Sequence, residues 1–148
     1  VKQKNGLEII QSSENLREAY LRKAEESLET LITIKNKDWK LIIAYYTIYN
    51  SIYSLLMLIG IKCEIHSCTI EFLKTYLRGY FDENDCKLID NSFLARIDSQ
   101  YYINKKVSDI NYNFIIKEVS YFFIKCKNII LEEKEIINIR NQVSLIVK

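Results

Sequence analysis

The stretch Leu41 to Ile59, LIIAYYTIYNSIYSLLMLI, holds no charged residue. At 1.5 Å of rise per residue a helix of this length reaches across a bilayer core, so the segment either spans a membrane or is covered on nearly every side by protein. Its polar content decides between the two. Tyr45, Tyr46, Tyr49, Tyr53, Thr47, Asn50, Ser51 and Ser54 would all need partners at hydrocarbon depth. Basic residues flank the stretch on both sides, and the other helical segments are amphipathic. A buried central helix is therefore expected, and no membrane partner. Ala44, Thr47, Ser51 and Ser54 recur at helical spacing and let a neighbouring helix come close, while the tyrosines bury rings and still reach hydrogen-bond partners.

The rest of the chain supplies its cover. With no proline and only three glycines in 148 residues, long helices meet few breakers and tight hairpins have little material. That length with 49% hydrophobic residues makes one domain with one core. The expected class is all-α, an up-and-down antiparallel bundle of four to five helices. An N-terminal arm covers residues 1–14, the bundle 15–133, and a C-terminal extension 134–148 is ambiguous between helix and strand.

The first helix reads from Leu16 to Ile34, capped by Ser12 or Ser13, with Leu16, Lys23 and Ser27 on its inner stripe and Arg17 outside it. Asp38 is the expected cap of the second, which ends at Gly60. A third runs from about Ser67 to Tyr80. Asp82 with Asp85 forms an acidic capping arrangement that opens a fourth through Gln100, carrying Ile89, Phe93 and Ile97 inward. The fifth runs from about Ile110 to Glu133, with Phe114 and Ile130 among its inner residues.

Charge gives no long-range steering, since 21 basic and 19 acidic residues leave +2. Any anion site has to be local. The start VKQKNGLEII is too charged and too short in its apolar run for a secretory leader, so the four cysteines are expected as reduced thiols in the cytoplasm. Cys63, His66 and Cys68 cluster in sequence, but a structural zinc needs a fourth ligand and usually CxxC pairs, so no metal and no cofactor is expected. His66, the only histidine, is expected to cap or hydrogen-bond the loop after Gly60.

The segment LARIDSQYYINKK, Leu94 to Lys106, places Arg96 toward the apolar side of the fourth helix. Such an arginine can snorkel over the core edge, pair with a carboxylate, or line a cleft that binds an anion. A binding cleft would combine Arg96 and Gln100 with Tyr101 and Tyr102 as stacking faces and Lys105 and Lys106 at the rim, the residue types that single-stranded RNA and nucleotide sites use. Two tyrosines and two lysines at a helix end are equally a core edge with cations near the C-terminal dipole.

AYLRKAEESLETL, then IIAYYTIYNSIYSLLMLIGIKCEIHSCTIEFL, then LARIDSQYY resemble, in that order and spacing, the HEPN superfamily and its small stand-alone prokaryotic proteins. The resemblance spans about Asn5 to Ile130. It implies a helical bundle, commonly dimeric, often encoded beside a minimal nucleotidyltransferase in a toxin–antitoxin-like system. Active members are metal-independent ribonucleases with an R-x4-6-H motif, in which histidine transfers protons and arginine steadies phosphate. Here the positions due to hold that histidine are Tyr101, Tyr102 and Ile103, so the motif reads R-x4-Y. A phenol is a poor proton acceptor at neutral pH. The implied role is nucleotide or RNA binding without hydrolysis, as a homodimer and a nucleotidyltransferase partner. Tyr101 or Tyr102 is the residue that partner would modify, and Arg96 and Tyr101 are the candidates for any catalysis left. The alternatives are an endoribonuclease with a degenerate motif and a purely structural dimerisation module.

Overall fold

The computed structural model describes residues 6–147, so residues 1–5 of the expected arm and Lys148 lie outside it. Among the described residues the chain is an all-α bundle with one two-stranded sheet: β1 (Leu7–Ile9), α1 (Glu14–Thr33), α2 (Lys37–Ile59), β2 (Ile61–Cys63), α3 (His66–Tyr76), a 3-10 turn (Arg78–Tyr80), α4 (Glu83–Tyr101), α5 (Asp109–Asn128) and α6 (Glu133–Val147). Helix α2, which carries the charge-free stretch from Leu41 onward, is the hub. It packs against α1 along its length and against α4 and α5 on other sides, with further contacts to α3 and α6. Of its most apolar 18-residue window, 72% is buried inside the fold. Its small polar residues are satisfied within the helix: Thr47 donates to the Ile43 carbonyl at 2.9 Å, Ser51 to Thr47 at 2.7 Å and Ser54 to Ser51 at 2.6 Å. These hydroxyls cost the core no unpaired donor.

Local chemistry sets most boundaries. Ser13 caps α1 by accepting from the Leu16 amide at 3.1 Å, and Asp82 and Asp85 form the reciprocal capping box of α4. The cap of α2 is Asn36 and not Asp38: the Asn36 side chain accepts from the Trp39 amide at 3.0 Å. Asp38 falls in the first turn, where the helix dipole still favours its charge. α3 stops at Tyr76, short of Tyr80, because the backbone leaves the helical region at Leu77, just before Gly79, a poor helix residue. α5 stops at Asn128, and the extended backbone that follows puts Ile129 and Leu131 into the core while Ile130 faces solvent. Phe114 is only half-buried, Leu16 and Lys23 are exposed, and Ser27 is half-buried.

The ends of the chain take forms that their sequence left open. The tail is a helix, and Ile139 and Val143, four residues apart on one face of α6, join the common core. The arm contributes β1, antiparallel to β2 with Leu7 opposite Cys63 and Ile9 opposite Ile61. The arm continues this attachment, with the Ile10 amide donating to the Gly60 carbonyl at 2.9 Å and the Ser13 amide to Met57 at 3.0 Å. Gly60 is left-handed, φ +86°, and a Cβ there would stand 2.6 Å from the Ile10 carbonyl oxygen and 2.0 Å from the Arg140 guanidinium. Arg140 reaches from α6 into this junction and donates to the carbonyls of Ile10 (2.7 Å), Ile59 (3.0 Å) and Gly60 (3.1 Å). Arg17, expected on the solvated face of α1, performs a similar service at the end of α5, donating to Lys127 and Ile129 carbonyls at 3.2 and 3.0 Å. A cation at a helix C-terminus satisfies carbonyls that the helix itself leaves open.

Candidate functional site

Arg96 sits about one and a half turns before the end of α4 and faces α2. Its guanidinium carbon lies 5.3 Å from the Tyr45 ring centre, 5.6 Å from Tyr46 and 5.8 Å from Tyr101. Nη2 donates a long hydrogen bond, 3.3 Å, to the Tyr46 hydroxyl, and Nε is buried with no partner. No carboxylate pairs with Arg96 among the described residues. Of the three fates open to it, the ion pair is thus the one the structure does not show. The side chain is half-buried between π faces, which attract a cation but leave its hydrogen-bonding capacity largely unused.

His66 shares this environment, a proximity the sequence does not display. It is the first residue of α3 and makes no cap hydrogen bond there. Its Nδ1 instead lies 2.6 Å from the Tyr45 hydroxyl, and its ring stacks on Tyr49 with centres 4.1 Å apart and meets Tyr46 edge-on at 6.3 Å. Burial, and then the positive charge of Arg96, hold the His66 pKa below its ordinary value. Burial pushes the Tyr45 phenol well above its ordinary range and the Tyr49 phenol up to about 12. At neutral pH the cluster therefore carries one full charge, that of Arg96, beside a neutral imidazole and neutral phenols. Either tautomer of that imidazole serves the Tyr45 contact: the phenol donates to a bare Nδ1 or accepts from Nδ1–H.

The other residues expected at the site lie around a corner. Gln100, Tyr101, Tyr102, Lys105 and Lys106 line a cleft of about 710 Å³ at the α4–α5 connection, walled on its far side by Lys37, Leu41 and Tyr112, and Arg96 is not part of its wall. Tyr101 is the link, since it lines the cleft and also presents its ring to Arg96. Lys105 is partly engaged, 4.6 Å from the Tyr102 ring centre and 3.9 Å from an Asp98 carboxylate oxygen. Tyr101 and Tyr102 are both more than half exposed. Compared with models of known protein families and with curated proteins, the chain matches none.

The residues missed from sequence are Tyr45 and Tyr46, which lie against Arg96, and Tyr49, which stacks on His66; as the only histidine, His66 itself is a sequence candidate to replace the missing one, but its closeness to Arg96 is not legible there. Four tyrosines within nine residues of an otherwise aliphatic helix were the available signal, read only as core. The set Cys63, His66 and Cys68 does not converge on a common point; among the described residues no three metal-ligating side chains do. His66 turns to the tyrosines, while burial and the neighbouring Cys63 thiol push the Cys68 thiol up to about 12.

Proposed function

We propose that this chain is an HEPN-type binding or regulatory protein that takes the phosphate of a nucleotide or of single-stranded RNA on Arg96, working in the cytoplasm as a homodimer and as partner of a minimal nucleotidyltransferase. The observation that carries this reading is a half-buried guanidinium with no carboxylate partner and an unpaired Nε, set among aromatic rings. A phosphate can occupy the donors that the protein leaves unused, and the rings around them suit bases. The cleft at Gln100, Tyr101, Tyr102, Lys105 and Lys106 would extend contact along a strand, with Tyr101 or Tyr102, both exposed, accessible to a modifying partner. Titrating a fluorescein-labelled single-stranded RNA with wild type and with Arg96→Ala tests the reading. Arg96→Ala is expected to bind about tenfold more weakly or worse, the loss of one charge-assisted contact, with its helical circular dichroism intact. Equal affinities would remove the assignment.

A second reading, a metal-independent endoribonuclease, gains from one observation: the lone histidine is next to the arginine despite the R-x4-Y sequence. In that chemistry the RNA 2′ oxygen attacks phosphorus and the bond from phosphorus to the 5′ oxygen breaks. A neutral His66 can accept the 2′-hydroxyl proton while Arg96 balances charge on the phosphoryl oxygens, and the 5′ oxygen leaves with the bonding electron pair and takes a proton from water. It predicts chelator-resistant cleavage that leaves 2′,3′-cyclic phosphate ends and is lost in both Arg96→Ala and His66→Ala. RNA left intact under these conditions disposes of this reading alone.

A further inference from the structure

Tyr46 and Tyr49 border two spaces. On one side they meet Arg96 and His66; on the other they line a second cleft of about 610 Å³ between α1 and α2, which also includes Tyr20, Lys23 and Asn50. The rings connect the two without a gap. Tyr20 lies 4.8 Å from Tyr53, Tyr53 5.7 Å from Tyr49, and Tyr49 4.1 Å from His66, centre to centre. A cation stands at each end of this ladder, Lys23 5.7 Å from the Tyr20 ring centre and Arg96 beside Tyr46.

Asn50 is the polar group in this wall that packing does not explain. It lies mid-helix in the charge-free stretch of α2, is only 9% exposed, and its amide makes no hydrogen bond within the described protein. Its atoms are not sealed in like Arg17 Nε, Arg96 Nε and Ser99 Oγ, so the amide opens into the cleft, where water or a ligand can satisfy it. Its carbonyl and NH2 form a planar acceptor–donor pair, the complement of a base edge and above all of adenine, and the half-exposed Tyr46 offers a stacking face, while Tyr49, held between His66 and Tyr53, walls the cleft.

We infer that the α1–α2 cleft is a nucleobase subsite, in which Tyr46 stacks the base and Asn50 reads its edge, while the phosphate of the same nucleotide rests on Arg96. This deepens the Arg96 reading and rests on it. It also gives the ligand a direction: phosphate toward α4, base toward α1, with Lys23 at the mouth where a next phosphate would pass. Adenine suits the amide best, since one planar pair satisfies both its N6 amine and its N7.

Calorimetric titration with AMP, and with ribose 5-phosphate as the same ligand lacking its base, tests the inference on the whole chain. AMP is expected to bind at least tenfold more tightly and to quench tyrosine fluorescence, which ribose 5-phosphate leaves unchanged. Asn50→Ala should remove most of the AMP advantage without weakening ribose 5-phosphate, and Tyr49→Phe, which keeps the ring, should retain the advantage. Arg96→Ala should weaken both ligands. Equal binding of the two ligands, both weakened by Arg96→Ala, overturns the base subsite and leaves the phosphate reading standing. Failure of both ligands to bind overturns both readings. The wild-type comparison and the fluorescence readout hold even if Asn50→Ala does not fold.

Discussion

The guanidinium of Arg140 rests against three backbone carbonyls, that of Arg96 against three phenol rings. Arg140 gives its Nη1 to the Ile10, Ile59 and Gly60 carbonyls, the last of which also accepts from the Ile10 amide, so its charge is consumed in tying three pieces of chain together. Arg96 has one long hydrogen bond and a buried Nε with none. Rings balance a cation's charge without using its N–H groups, and Nη1, which is neither bonded nor buried, stays open to an oxyanion. One arginine has its donors filled by the fold; the other keeps donors to spare.

The largest effect should come from breaking the Arg140 junction at its narrowest point. Gly60→Ala combines a left-handed backbone, which costs a non-glycine residue about 1–2 kcal/mol, with a Cβ pressed against the Ile10 carbonyl oxygen. A total loss of about 3 kcal/mol or more is expected from the urea midpoint at unchanged m-value. Arg140→Met should follow at about 2 kcal/mol, since it strands carbonyls that now accept from a charged donor. Arg96→Met keeps the stem and removes a charge whose Nε was already unpaired, so stability should move by less than about 1 kcal/mol. A loss comparable to that of Arg140→Met would show that Arg96 is structural and would erase the contrast.

The smallest effect is a pH dependence. In the folded chain His66, enclosed by Tyr45 and Tyr49 of α2 and Arg96 of α4, has its pKa below the ordinary 6.5, so just below pH 6.5 the unfolded chain binds a proton that the folded chain refuses. Stability should therefore decline as pH falls through 6.5 and below, and this part of the decline should be missing in His66→Gln. The Asp82 carboxyl, held below its ordinary 3.8 by its hydrogen bond to the Asp85 amide, acts only at more acid pH and leaves the window clear. A wild-type curve parallel to that of His66→Gln from pH 7 to 5 would mean the imidazole is not enclosed as described.

Much of the architecture was legible because its causes are local. The burial of α2 follows from nineteen residues without charge, its end from Gly60, and the start of α4 from Asp82 and Asp85. The strands were not, because LEI and IKC carry no pattern of their own and pair only once Gly60 turns the chain back beside the arm. The outward placement of Arg17 failed for a related reason: helical period says which way a side chain leaves its helix, not that the end of α5 lies within reach. At the candidate site Arg96 could be singled out from its position on the wheel, but its neighbours come from residues 30 to 51 positions earlier in the chain. Adjacency in sequence suggested Gln100 through Lys106 instead, and these line a different cleft.

The hub helix also dictates an order of events when the chain is made. Among the described helices that pack on α2, α1 precedes it as it leaves the ribosome, and the sides destined for α4 and α5 stay uncovered until those helices follow. A nascent chain arrested before α4 displays an apolar rod of membrane-crossing length. Chaperones and insertion machinery would then compete for it.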